Sequence, residues 1–252
     1  MLSGEGTRRS EVAMNCEKRR VLVLGGTGAV GSAVVRELSQ AGLTPMFTYC
    51  NSEARAAELA DAFGARRWRV DLRDVSAFPN LVSRLEREAE LPDVVIHCAT
   101  VVRQVGVDVA TDEDWDITMG VNARSAFQVC RELGGRFARR GGGDIVLVTA
   151  LDRMQSLPIP SVFAASQGLV SALAMAVAKD LGPRGVRVNV VALGLLGTGI
   201  GAELDAKLVE DYCAMSALRR LGDAGEVART IVWLALHNTY LNGKVVSVNG
   251  GI

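Results

Sequence analysis

The residues Val21-Leu22-Val23-Leu24 run straight into Gly25-Gly26-Thr27-Gly28-Ala29-Val30-Gly31, and from Ser32 to Ala41 the apolar spacing becomes that of a helix. A strand, a glycine loop and a helix in that order constrain the chain more than any other segment. The helix must fold back over the strand it follows, which commits the chain to a parallel sheet covered by helices. Gly26-x-Gly28-x-x-Gly31 has the spacing in which missing side chains let backbone N–H groups and a helix N-terminus approach a pyrophosphate. The same spacing also suits a tight β-α turn with close packing.

The alternation continues to the C-terminus. Strands are expected at Leu43–Tyr49, Arg67–Val70, Asp93–His97, Asp144–Thr149, Val186–Val191 and Lys244–Val248. Helices are expected at Ser52–Phe63, Val75–Ala89, Asp114–Arg139, Ser161–Leu181 and Ala224–Leu236, with a variable segment near Thr198–Ala217. The whole reads as one α/β domain over residues 19–252, a doubly wound parallel sheet of about seven strands flanked by helices. Ligands in such sheets bind beyond the carboxyl ends of the strands. There lie the glycine loop, His97–Val101, Ala150–Arg153 and Leu193–Thr198.

Lysine plus arginine (28) balances aspartate plus glutamate (28), so no global field would hold nucleic acid or an anionic membrane. A small molecule or a protein is the expected partner. The cysteines at 16, 50, 98, 130 and 213 are widely spaced, form no C-x-x-C pair, and read as reduced thiols of a cytoplasmic protein. With only His97 and His237 to join them, no metal site is expected. Residues 1–18 are polar and charged, without an apolar run, and are expected to form a loose, flexible tail.

Several blocks resemble the short-chain dehydrogenase/reductase superfamily, and most closely the bacterial β-ketoacyl-carrier-protein reductases. They are Asp112-Glu113-Asp114-Trp115-Asp116 through Val121-Asn122, Gly185-Val186-Arg187-Val188-Asn189, Arg220-Leu221-Gly222 with Glu226-Val227-Ala228, and Gly243 through Gly251. The likeness implies a Rossmann-type fold and a nicotinamide cofactor held by Gly25, Gly26, Thr27, Gly28, Val30, Gly31, Asn51, Ser52, Asp71, Leu72, Ala99, Thr100, Gln167, Gly194, Leu196 and Thr198. The second strand ends without an acidic residue for a ribose 2′-hydroxyl, while Asn51, Ser52 and Arg55 can accept a 2′-phosphate, so NADP(H) is favoured over NAD(H).

The departures fall on the cofactor-facing loops and the reaction site. Ala29 replaces the middle glycine of the usual loop, His97-Cys98-Ala99-Thr100 replaces Asn-Asn-Ala-Gly, and Leu193-Gly194 replaces Pro-Gly. Of the four catalytic positions that the resemblance transfers, Asn122 is retained, while Ala150, Phe163 and Gln167 stand where serine, tyrosine and lysine are usual. Phe163 has no proton for an alkoxide, and Gln167, one helical turn on, can hydrogen-bond a ribose but brings no positive charge.

Replacements for the missing acid are few. Tyr240-Leu241-Asn242-Gly243-Lys244 repeats the Tyr-x-x-x-Lys spacing, but in a turn before the last strand, and Tyr212 lies in the variable segment, where packing is its expected role. Asp152 beside Arg153 is a substitute acid/base or a surface ion pair. His97 reads as a core residue, and Thr149 as pointing to the face opposite Ala150.

Two functions remain open at this point. One is an NADP(H)-binding, non-catalytic or regulatory protein, with the partner subunit of a ketoreductase as one form of it. The other is a repurposed NADPH-dependent ketoreductase or cyclase of specialised, polyketide- or fatty-acid-like metabolism, acting on a small or carrier-bound ketone whose own hydroxyl supplies the proton. Ser161–Leu181 is apolar on nearly all sides, more than one sheet face can cover. The resemblance implies that this helix joins two copies, giving a dimer or tetramer with itself or with an active reductase.

Overall fold

The computed structural model describes residues 19–150 and 159–252, apart from the side chains of Ile200 and Glu203. The expected tail, Asp152 and Arg153 lie outside the described residues. Seven parallel strands form one sheet in the order β3-β2-β1-β4-β5-β6-β7: β1 Val21–Leu24, β2 Met46–Tyr49, β3 Arg66–Arg69, β4 Val94–His97, β5 Gly143–Thr149, β6 Val186–Leu193 and β7 Val245–Val248. This is the expected doubly wound sheet. Its order reverses between β1 and β4, which pair from Val21↔Val94 to Leu24↔His97.

Helices cover both faces, so the inner strands are continuous apolar runs rather than alternating ones. Along β1, Val21 and Val23 enter the core beneath α1 (Ala29–Gln40) and α8 (Ala224–Leu236). Leu22 and Leu24 enter the other core, beneath α3 (Ala77–Arg87), α5 (Ser125–Arg139) and α6 (Ser161–Leu181). The remaining helices are α2 (Glu53–Phe63), α4 (Asp112–Thr118) and α7 (Ala206–Met215).

Several boundaries depart from the sequence reading, three of them with a plain physical cause or consequence. β2 starts at Met46, after Pro45, which has no N–H to give to a ladder. The expected helix from Asp114 begins at Asp112 behind a capping box in which Thr111 and Asp114 satisfy each other's backbone N–H groups. It then widens into a π-helical turn over Met119–Arg124 before α5. The variable segment contains a 3₁₀ turn, Gly199–Glu203, and then α7, whose first turn is capped by the Asp205 side chain on Lys207 N.

At the end of the sheet away from the strand carboxyl ends, the buried Asp144 carboxylate accepts from Arg187 Nε at 2.7 Å and Nη2 at 2.8 Å, and also from Arg19. The α6 stretch is the one helix among the described residues long and apolar enough to cross a membrane. It packs on β5, β6 and the π turn instead.

Candidate functional site

The glycines of the first loop divide their work. Gly25 has φ +77°, and a Cβ on it would lie 2.7 Å from Ala99 Cα, so the loop touches the β4 exit. A Cβ on Gly26 would lie 2.6 Å from the Phe47 ring, and one on Gly31 would lie 2.1 Å from Gly25 O. Gly26 and Gly31 were both expected to face a ligand, yet they serve packing of loop on strand and helix on loop, and neither lines the cleft above. Gly28 differs. A Cβ there meets only Gly25 O, at 3.3 Å, and Gly28 caps α1 without any side chain satisfying the first-turn N–H groups.

Above this loop, at the carboxyl ends of the strands, lies a cleft of about 730 Å³. The structure brings Gly25, Thr27, Gly28, Val30, Asn51, Ser52, Asp71, Leu72, Ala99, Thr100, Ala150, Phe163, Gln167, Gly194, Leu196 and Thr198 together along it. Thr149, expected to point away, borders it too while remaining buried. At its outer end the Asp71 carboxylate is clasped by Arg73, with Nε 3.0 Å from Oδ1 and Nη2 2.6 Å from Oδ2, which holds Asp71 below the usual carboxylate range. Cys50 beside it is pushed up, first by burial and then by the Asp71 charge.

The inner end is an uncharged hydrogen-bond network, which the Thr100 hydroxyl joins by donating to Asn122 Oδ1 at 3.4 Å. Asn122, on the π turn, accepts from Val101 N at 2.8 Å and donates to Val101 O at 2.9 Å and to Ser166 Oγ at 3.0 Å. Ser166 Oγ also accepts from Gln167 Nε2 at 3.2 Å and donates to Phe163 O at 2.7 Å. Gln167 Oε1 accepts from Ala150 N at 2.9 Å. Gln167, expected to reach a ribose, lines the cleft, and its buried amide also ties α6 to the end of β5. Ser166 is the hub, and nothing in the motif comparison singled it out. Its only signal was a hydroxyl on the buried face of a mostly apolar helix.

No group in this network titrates near neutrality. His97 lies below the cleft, hydrogen-bonded through Nε2 to Ser125 Oγ at 2.6 Å, and burial lowers its pKa from 6.5 to about 4. It is a neutral core histidine. Burial pushes the Cys98 thiol up to about 12. Tyr212 is buried and donates to Asn249 O at 3.0 Å, a packing role, while Tyr240 is 96% exposed, so the second Tyr-x-x-x-Lys faces solvent. Arg103, at the cleft wall, is bonded to Asp114 at 2.8 Å; with Thr111 it holds that carboxyl at about 2.

The family model described as enoyl-(acyl carrier protein) reductase matches residues 26–252. The chain is 28% identical to nodulation protein G of Rhizobium meliloti, over 93% of this chain and 96% of that one. It is 26% identical to an acetoacetyl-CoA reductase of the same organism, over 92% and 98% of the two chains. It is also 27% identical to the short-chain reductase protein NovJ of Streptomyces niveus, over 96% of each. Among solved structures, a short-chain dehydrogenase/reductase from Serratia marcescens superposes with a TM-score of 0.84 at 26% identity, covering 93% and 97% of the two chains. A gluconate 5-dehydrogenase from Burkholderia cenocepacia in complex with NADP and tartrate shares the fold with a TM-score of 0.85 at 24% identity, over 92% and 94%. With a reversed strand order at β1/β4, a glycine loop under a cleft and a family match over nearly its whole length, the chain belongs to the short-chain dehydrogenase/reductase superfamily.

Proposed function

We propose that this chain is an NADP(H)-binding member of the superfamily that does not reduce carbonyls by itself and works as a subunit, paired with its own copies or with an active reductase. The observation that carries this reading is the inner end of the cleft. Ala150, Phe163 and Gln167 hold the positions of the serine, tyrosine and lysine, and the network joining them carries no charge. Hydride addition to a ketone leaves an alkoxide that needs a proton. Phe163 has none.

The superfamily binds nicotinamide cofactors, and the residues present fit one. Gly28 leaves the start of α1 open, and the cleft continues past Thr100 and Thr198. Gly28, Ala29 and Val30 would lie at the pyrophosphate, with Asn51 and Ser52 at the adenosine ribose. A bound dinucleotide would supply hydride, while the protein's residues would orient it and exclude water. NADP(H) is favoured because Tyr49-Cys50-Asn51 offers no carboxylate at the end of β2.

Members of the superfamily commonly oligomerise. Support for assembly here is the outer face of α4, α5 and α6, where Trp115 is 48%, Phe127 45% and Leu169 39% exposed beside the small residues Ala165, Gly168 and Ala172. The test is NADPH consumption with a panel of β-ketoesters and β-ketothioesters. The reading predicts no turnover by the chain alone; steady multiple turnover would overturn it.

A further inference from the structure

The loop after β3 carries the outer rim of the cleft, Asp71 with its Arg73 clasp, and this loop hangs from α5. Gln128, buried on α5, donates from Nε2 to Val75 O at 2.7 Å, and Leu72 enters the core that Ala126 and Val129 of the same helix line. Arg124, the last residue of the π turn, donates from Nη2 to Arg73 O at 3.0 Å. Its guanidinium passes over Gly120, where a Cβ would lie 2.8 Å from Nη2. The same turn holds Asn122 on Val101 at the inner end, so one short segment is tied to both ends of the cleft.

The two ties to the outer rim are unequal. The Gln128 bond is sheltered, whereas Arg124 is exposed and has Arg73 O as its one partner among the described residues. A solvated arginine on a neutral acceptor gives little net stabilisation, because lost rotamer freedom and competing water offset the bond. Arg124 also shares its side of the helix with Phe127, three residues on and exposed, over whose ring the Arg131 guanidinium stands at 5.5 Å. A second copy seated on Phe127 would take water from Arg124, and a hydrogen bond shielded from water is stronger.

We propose that Arg124 is a positioning residue that couples pairing of two copies to ligand binding at the outer rim. Covering Phe127 fixes Arg124 on Arg73 O and steadies the Arg73 clasp on Asp71, so that NADPH and pairing strengthen each other. This rests on the cofactor and assembly readings above and adds how each controls the other. Counted per site, the factor by which pairing tightens NADPH equals the factor by which NADPH tightens the pair.

The test joins calorimetric NADPH titration to sedimentation equilibrium for the full chain and for Arg124→Ala, Arg124→Lys, Leu169→Glu and the double variant Arg124→Ala/Leu169→Glu. Leu169 lies on the pairing face and does not line the cleft, so Leu169→Glu supplies the unpaired state. Leu169→Glu should bind NADPH about fivefold to tenfold more weakly than the paired parent, and Arg124→Ala should weaken it equally while still pairing. The double variant should be no weaker than either single one, and Arg124→Lys, which keeps a donor, should keep part of the coupling. NADPH should tighten pairing of the parent by the same factor and leave pairing of Arg124→Ala unchanged, a response that a merely structural Arg124 would not abolish. Equal NADPH affinity in the parent and Leu169→Glu, or additive losses in the double variant, would overturn the inference while leaving the site and the pair in place. A parent that binds NADPH as a monomer overturns this inference and the assembly reading; a parent that pairs but binds no NADPH overturns it with the cofactor reading.

Discussion

Restoring the missing acid is the most demanding perturbation, because the structure sets both its gain and its cost. In Ala150→Ser/Phe163→Tyr/Gln167→Lys the three changed positions already meet: Ala150 N is 2.9 Å from Gln167 Oε1, and Phe163 lines the same cleft one turn before Gln167. A positioned general acid is worth about two to four orders of magnitude in rate, so turnover of a β-ketoester with NADPH should rise by about 10² to 10⁴ over the parent. The cost lies in the network. Lysine cannot accept from the residue 150 N–H, so a part-buried donor loses its partner, at a cost of up to about 1–3 kcal/mol where water does not replace it. The ammonium also enters a site where residue 167 is 4% exposed, next to a hydroxyl and not a carboxylate. Bound NADPH, if its ribose meets the lysine, should recover part of that loss, so the variant should melt several degrees below the parent without ligand and gain more from NADPH. Phe163→Tyr alone should leave the network intact and give little activity, since no cation lowers the phenol pKa from about 10. The assay is NADPH oxidation at saturating ketoester alongside thermal melts. A triple variant that folds and binds NADPH yet shows no gain would refute the argument that the lost side chains are what silences the cleft.

Three further outcomes are expected. Gly28→Val should abolish NADPH binding in a calorimetric titration while shifting the melting temperature little, because its side chain enters the cleft and meets only Gly25 O; unchanged binding would return the loop to a purely structural turn. Because His97 has its pKa lowered from 6.5 to about 4 by burial, the unfolded chain binds its proton first; stability is full above pH 6.5 and falls by about 3 kcal/mol as pH drops toward 4. Urea unfolding at both ends of that window should show His97→Gln losing this component, and an identical pH slope in the variant would contradict it. Light scattering at micromolar concentration should give a dimer or larger species, and Leu169→Glu, placing a charge on the exposed face of α6, should shift it toward monomer; a monomeric parent would refute the assembly face.

What the sequence made legible follows from where each residue's partners lie. β1, β4 and β5 are buried from both sides, so their apolar runs stand out, and the order of glycine loop, strand and helix leaves little choice of topology. β3, Arg66-Arg67-Trp68-Arg69, sits at the sheet edge with exposed arginines, and its start is blurred for that reason. The π turn at Met119–Arg124 changes hydrogen-bond spacing without changing composition, so nothing in the residue pattern announces it. The positions 150, 163 and 167 were found by their spacing, but the joining of Gln167 to Ala150 and of Ser166 to Asn122 crosses elements and needs coordinates. Gly26 and Gly31 show the same limit: a motif gives their places, and only the Phe47 ring and Gly25 O reveal that they serve packing.

The most direct test of the account combines two readings on the unmodified chain: saturable quenching of its tryptophan fluorescence by NADPH, and NADPH oxidation by the same sample when β-ketothioesters are added. The account predicts saturable binding with no turnover above the uncatalysed rate. Turnover by the chain alone, or no binding of NADPH at any concentration up to millimolar, would contradict it.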